Sequence, residues 1–425
     1  MSQTLPRPRT ATAAPDSGRW PDVARVPAAG LRAPLARRLL RQVARRLGLQ
    51  VELPDGGILV AAAAGAPVLR LNHPDAFFRR VGAGGLIGFG EAYQAGDWDS
   101  PDLVGLLTVM AGSMDTLVPP SLQWLRRWYA LHRPTDQLNT PEGARRNIQR
   151  HYDLSNELFA LFLDPTMTYS AALFVTDDHG LPLAGWELLE QAQHRKIDRL
   201  LDLAEVGAGT RVLEIGTGWG ELALRAARRG AQVVTLTLSG EQQQLAQQRV
   251  SAAGYGDRVS VRLCDYRSAE GSYDAVLSVE MVEAVGRAFW PHYFSTLDRV
   301  LAPGGRAALQ AITMPHERML ASEQTHTWIG KYIFPGGLLP STEAIEQTVS
   351  AHTSLRLTGR QGFGAHYAET LRLWRERFAE HRPHVHALGF DEVFGRMWEF
   401  YLAYSEAGFR SGYLDVQQLL LTRES

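Results

Sequence analysis

Between residues 210 and 313 the chain alternates short apolar runs with amphipathic stretches. Apolar-rich runs at 211–215, 232–238, 259–263, 275–279 and 306–313 predict strands. The segments 221–229 and 241–253 between them carry helical spacing. That alternation predicts an α/β fold, a mostly parallel sheet with helices on both faces. Residues 50–130 read as short strands and then helices, with turns at Gly56-Gly57 and Gly82-Ala-Gly-Gly85, which predicts a smaller N-terminal α+β domain. Pro119-Pro120 and His132-Arg-Pro-Thr-Asp136 interrupt the pattern and place a domain boundary near 130–145. The expected organisation is a disordered tail over 1–30, an N-terminal domain over 31–135 and a larger domain over 140–425.

One amphipathic segment stands apart. Leu35, Leu39, Leu40, Val43 and Leu47 share a helical face, and arginines fill the other. Residues 1–50 hold ten arginines against Asp16 and Asp22, a local balance of +8. Two readings stand: a helix lying on anionic lipid, or a surface helix packed on its own domain.

Composition narrows the class. The chain of 425 residues is 45% hydrophobic and 21% charged, with net charge −1. It suits a globular protein of two or three domains and argues against general nucleic-acid binding. No apolar run reaches membrane-spanning length, and residues 1–20 lack the apolar core of a signal peptide. The single cysteine, Cys264, excludes an intrachain disulfide and fits the cytoplasm. Of the 44 basic residues only Lys196 and Lys331 are lysine, which reads as genome composition. His151, His316, His326 and His366 lack metal-ligand spacing, so no metal is expected.

The sharpest chemical motif is Leu213-Glu-Ile-Gly-Thr-Gly-Trp-Gly220, an apolar strand running into glycines and then a helix. Gly216, Gly218 and Gly220 let a ligand approach the backbone at the strand's C-terminal edge. The spacing GxGxG departs from the dinucleotide GxGxxG, and Glu214 suits the ammonium of S-adenosylmethionine. The next strand edge offers Thr237, Ser239 and Gln242 for ribose hydroxyls, although Ser239 equally suits a helix cap. Asp265 and Tyr266 stand where an adenine would be flanked.

Five linked motifs carry a resemblance. His151-Tyr-Asp-Leu-Ser-Asn-Glu-Leu-Phe159, Leu163-Asp-Pro-Thr-Met-Thr-Tyr-Ser170, the Gly216 loop, Ser278-Val-Glu-Met-Val-Glu-Ala-Val-Gly286 and Lys331-Tyr-Ile-Phe-Pro-Gly-Gly-Leu-Leu-Pro-Ser341 follow in one order. With residues 396–410, and with Gly88-to-Trp98 in the N-terminal domain, that order resembles the cyclopropane fatty acid synthase family. It is most similar to the branch that makes 10-methylene chains on the way to 10-methyl lipids.

The resemblance implies a Rossmann-like class I methyltransferase domain acting with S-adenosylmethionine on a cis double bond of a phospholipid acyl chain. It implies a cofactor site of Tyr169, Ser170, Gly216, Gly218, Thr237, Leu238, Gln242 and Tyr266. It also implies a bicarbonate site of a glutamate, a histidine, an isoleucine backbone and a tyrosine, with cysteines nearby. Glu283, Ile312 and Tyr367 match that pattern, while Gln310 stands for the histidine, and Ala171 and Ser405 for cysteines. Bicarbonate is therefore expected to bind weakly or not at all.

Without that anion the cation formed by methylation would undergo a hydride shift and lose a methyl proton, giving a methylene branch. The expected catalytic residues are Glu283 and Tyr367, with Glu157 and Tyr404 as a protein-borne base. Tyr169, Phe334 and Trp374 are candidates to stabilise the cation. Expected partners are an unsaturated phospholipid, an anionic membrane surface, a reductase for the methylene product and a second copy in a homodimer. The expected location is the cytoplasmic face of the cell membrane. Alternatives are a cyclopropane synthase on the same substrate, a small-molecule methyltransferase, and a silent lipid-binding relative.

Overall fold

A computed structural model describes residues 15–113, 140, 143, 155–323 and 325–423. The Pro119-Pro120 break, most of the boundary region 130–145 and the start of the His151 motif lie outside the described residues. The chain divides into two compact units: residues 1–106 with 385–400, and residues 107–384 with 401–425. The first unit therefore differs from a domain over 31–135, because it takes in a segment from near the C-terminus.

In the first unit, strands β1 (Gln50–Glu52), β2 (Ile58–Val60), β3 (Val68–Leu71) and β4 (Trp98–Asp99) form a sheet in the order β2-β1-β3-β4. The helix Arg32–Leu47 packs on the helix Pro74–Gln94. Gly82 permits the approach, since a Cβ there would lie 2.8 Å from the Arg32 carbonyl. The expected turn at 82–85 is instead a break inside this helical stretch, at Gly85 with φ 56° and ψ −127°.

Disorder over 1–30 does not extend to its described part. Val23, in the short helix Pro21–Ala24, is fully buried. The buried Arg80 guanidinium binds the carbonyls of Asp22, Val23 and Arg25 and the carboxylate of Asp97. Arg396 secures the C-terminal segment by donating to the carbonyls of Tyr93 and Trp98 and to Asp99. Each guanidinium satisfies its donors where an unpaired charge would be costly.

The second unit is built on a seven-stranded sheet. Its strands are β5 (Arg211–Ile215), β6 (Gln232–Thr237), β7 (Val259–Leu263), β8 (Tyr273–Val279), β9 (Leu301–Thr313), β10 (Leu355–Gly362) and β11 (Asp415–Arg423). The order is β10-β11-β9-β8-β5-β6-β7, with β5 to β9 parallel and β11 antiparallel to both neighbours. Along β5 the side chains alternate between two apolar cores, Val212 on one face and Leu213 and Ile215 on the other.

Strands β10 and β11 are absent from the hydrophobic pattern. Most of the edge strand β10 lies outside the core. Gln417 and Gln418 interrupt β11, although Val416, Leu419 and Leu421 are fully buried. From β5 the chain runs outward through β6 and β7, then returns to β8 on the other side. This reversal opens a crevice at the C-terminal ends of β5 and β8, where ligands bind in such folds.

Candidate active site

A cavity opens in that crevice. All eight residues expected to hold the cofactor line it: Tyr169, Ser170, Gly216, Gly218, Thr237, Leu238, Gln242 and Tyr266. The glycine loop follows β5, with φ of 97° at Gly216, 52° at Gly218 and 92° at Gly220, a left-handed path that disfavours side chains. A Cβ on Gly216 would come within 2.7 Å of the Met281 side chain. A Cβ on Gly218 would meet nothing within 4 Å.

At the edge of β6 the Thr237 hydroxyl donates to Gln242 Oε1 at 2.9 Å. Ser239 caps the helix Gly240–Ala252 by accepting from the Gln242 amide, so the capping role is realised while Thr237 and Gln242 face the cavity. Asp265 is tied to Arg267 and does not line the cavity, whereas Tyr266 does.

The cavity lining holds more carboxylates than cations. Glu214, Glu221 and Glu280 line the cavity, with Lys196 as its buried cation. Burial pushes Glu214 up to about 8, and its Oε2 has no hydrogen-bond partner. Burial pulls Lys196 down to about 8. Its ammonium donates to Ser170 Oγ at 2.6 Å. Glu221 is already paired with Arg249 and His194.

Sequence reasoning missed Lys196 and Glu280. Lys196 had a signal: in a chain that uses arginine almost everywhere, a lysine inside the amphipathic helix Trp186–Leu203 marks a place for a compact ammonium.

Glu280, just after β8, is the centre of the polar wall. Its Oε1 accepts from the Ala171 amide at 2.9 Å and from Gln310 Nε2 at 2.8 Å. Its Oε2 accepts from the Tyr367 hydroxyl at 2.8 Å. Gln418 fixes the Gln310 amide by donating to its Oε1 at 3.2 Å. Three positions read from the sequence as an anion site, Ala171, Gln310 and Tyr367, thus converge on a carboxylate of the chain itself.

Glu283 is buried beside this wall. Its Oε1 accepts from the Ile312 amide and its Oε2 has no hydrogen-bond partner. Burial, with the charge of Glu280 adding to it, pushes Glu283 up to about 8. Burial also raises Glu280, against the hydrogen bonds to its charged form. Tyr367 is raised well above its ordinary value by burial and then by Glu280, so it stays a proton donor.

The other two expected catalytic residues stand elsewhere. Glu157 is exposed, because the helix Asn156–Ala160 turns Leu158 and Phe159 inward. Tyr404 is 46% exposed. Neither lines the cavity.

Aromatic rings complete the wall. Tyr169 lies 5.2 Å from both Phe159 and Trp374, and its hydroxyl meets that of Tyr401 at 2.7 Å. Trp374 is 6.2 Å from Tyr367, and Phe334 packs on Tyr401 at 5.8 Å. His366 accepts from the Phe174 amide and is pulled down to about 4 by burial, a neutral structural histidine. Among the described residues no group of three or more His, Cys, Asp or Glu side chains is placed to hold a metal.

A family model described as mycolic acid cyclopropane synthetase matches residues 139–419. The chain is 58% identical over 424 residues to the tuberculostearic acid methyltransferase of Mycobacterium tuberculosis, covering 99% of each. It is 33% identical over 383 residues to the cyclopropane-fatty-acyl-phospholipid synthase of Escherichia coli, covering 87% of this chain and 91% of that one. The solved cyclopropane synthase MmaA2 of Mycobacterium tuberculosis matches with a TM-score of 0.59 at 34% identity, covering 65% of this chain and 97% of that one. The mycolic acid cyclopropane synthase CmaA1, complexed with SAH and CTAB, matches with a TM-score of 0.59 at 33% identity, with the same coverage.

Proposed function

Since this chain belongs to the mycolic acid cyclopropane synthetase family, we propose that it transfers a methyl group from S-adenosylmethionine to the cis double bond of an unsaturated phospholipid acyl chain, giving a 10-methylene chain, the precursor of a 10-methyl fatty acid. The observation that carries this reading is the near full-length identity to the tuberculostearic acid methyltransferase.

The residues of the cavity fit the methyl donor. Glu214, with an unpartnered buried oxygen next to the glycine loop, would hold the donor's ammonium. Thr237 and Gln242 would take ribose hydroxyls, and Leu238 and Tyr266 the adenine. S-adenosylmethionine supplies a methyl group on a positively charged sulfur. The residues around it do the rest: Tyr169, which lines the cavity and packs on Trp374, would offer its π face to positive charge, worth ~1–2 kcal/mol when water is excluded. The buried wall from Phe159 to Trp374 keeps out the water that would quench a carbocation.

The substrate would be met at the bilayer. No helix among the described residues is long and apolar enough to cross a membrane. The helix Arg32–Leu47 buries Ala36 and Ala44 while Leu31 and Leu35 are exposed, at 89% and 41%. Exposed leucines among arginines suit peripheral docking on an anionic inner membrane face. A separate reductase would saturate the methylene product, which keeps its double bond. Association as a homodimer belongs to the same reading.

The test supplies the purified protein with methyl-labelled S-adenosylmethionine, dioleoyl phospholipid vesicles and a panel of soluble amines. Label in the lipid supports the reading. Label confined to an amine points to a small-molecule methyltransferase and overturns it.

A further inference from the structure

Methyl transfer to an alkene leaves a proton to be removed, and three carboxylates line the cavity. Glu221 is paired with Arg249 and hydrogen-bonded to His194. Glu214 adjoins the glycine loop, where the donor's ammonium requires it. Glu283 does not line the cavity. Glu280 remains.

Glu280 is also held as a base should be. Three donors, from Ala171, Gln310 and Tyr367, fix both of its oxygens and favour its charged form. Gln310 is oriented by Gln418, whose Oε1 accepts from Arg199 Nε at 2.6 Å. The backbone supplies an independent sign. Glu280 has φ 52°, a left-handed conformation in which a glutamate is strained. Such strain persists where the surrounding structure holds a functional side chain in place.

We propose that Glu280 is the catalytic base, taking the proton from the transferred methyl group, so that the chain carries its own proton acceptor and needs no added anion. This assignment rests on the methyltransferase reading. The carbon–sulfur bond of the donor breaks as the alkene π pair forms the new carbon–carbon bond. S-adenosylhomocysteine leaves neutral, and the positive charge passes to the neighbouring alkene carbon. A hydride shifts from the methyl-bearing carbon to that neighbour. A methyl C–H bond then breaks, its pair closes the methylene double bond, and the proton goes to a Glu280 oxygen. No external oxidant or reductant is required.

The test uses the full chain with dioleoyl phospholipid vesicles and S-adenosylmethionine. A carboxylate in this role contributes on the order of a hundredfold or more in rate, so Glu280→Gln should lose about that much while its calorimetric affinity for S-adenosylmethionine stays within a few-fold. Glu280→Gly relieves the left-handed strain but leaves the Ala171, Gln310 and Tyr367 donors without their acceptor, so bicarbonate or formate should raise its melting temperature. Bicarbonate or formate should restore turnover to Glu280→Gly and leave the wild-type rate unchanged. The assignment is overturned if Glu280→Gln keeps more than about a tenth of the wild-type rate, if neither anion rescues Glu280→Gly, or if the wild type depends on bicarbonate. A wild type that binds S-adenosylmethionine yet leaves the lipid unmethylated would overturn the parent reading, and this assignment with it. Failure confined to the variants overturns the assignment alone.

Discussion

The Tyr367 hydroxyl donates to Oε2 of Glu280 at 2.8 Å, inside a wall shared with Glu283 and the buried ammonium of Lys196. A hydrogen bond to a buried charge is worth about 1.5–3 kcal/mol. Replacing Tyr367 with Phe should therefore lower kcat by about ten- to a hundredfold. It should also raise the pKa of Glu280, since a donor to the charged form is lost. Activity that needs the carboxylate ionised falls as pH drops, so the acid limb of the kcat profile should move to higher pH. A lower rate with an unmoved limb would show that Tyr367 only packs.

The Glu214 oxygen without a partner makes a second expectation. Glu214→Gln keeps the shape and removes the carboxylate that a donor ammonium would draw into its charged form. Calorimetry should show S-adenosylmethionine binding weakened by about tenfold or more, the scale of one charge-assisted contact. Unchanged affinity would move the ammonium site elsewhere.

Glu214 and Glu283 also set a pH dependence of stability. Both are raised from an ordinary 4.5 to about 8 by burial. Between those values the folded state holds more protons than the unfolded one, so stability falls as pH rises. Their contribution is complete below about 4.5 and lost on passing about 8. The ligand-free protein should melt at progressively lower temperature across this window, and Glu283→Gln should flatten the decline. A melting temperature that climbs steadily toward pH 8 would contradict the assignment of neutral buried carboxylates.

The exposed arginines beside Leu31 and Leu35 predict salt-sensitive docking. Each arginine near an anionic surface contributes ~1 kcal/mol, screened beyond about 10 Å at 0.1 M salt. Sedimentation with anionic vesicles should weaken as salt rises, and Arg37→Glu with Arg41→Glu should weaken it further. Equal binding to neutral and anionic vesicles would make the helix purely structural.

Much of the sheet was legible because its central strands are buried on both faces and read as largely apolar runs, as in Ala275 to Leu277. The cavity at the end of β5 was legible for a related reason: glycines after such a strand let the backbone turn sharply there. Strand β11 was not, because Gln418 serves the Gln310 network rather than the apolar core. The polar wall was half legible. Gln310 and Ala171 marked departures from the resembled anion site, but not which side chain they face. Only the fold shows that Glu280, three residues before the expected Glu283, turns its carboxylate onto those same donors. The exposure of Glu157 was not legible, because composition around a helix does not reveal its phase, and Leu158 and Phe159 took the inward face.

The central claim is the identity of the product. The most direct measurement incubates the pure enzyme with dioleoyl phospholipid and carbon-13 methyl-labelled S-adenosylmethionine and follows the labelled carbon by NMR. The account predicts that the label appears as an olefinic methylene carbon, formed without added bicarbonate. A labelled carbon at high field, in a cyclopropane ring, as the main product would contradict it.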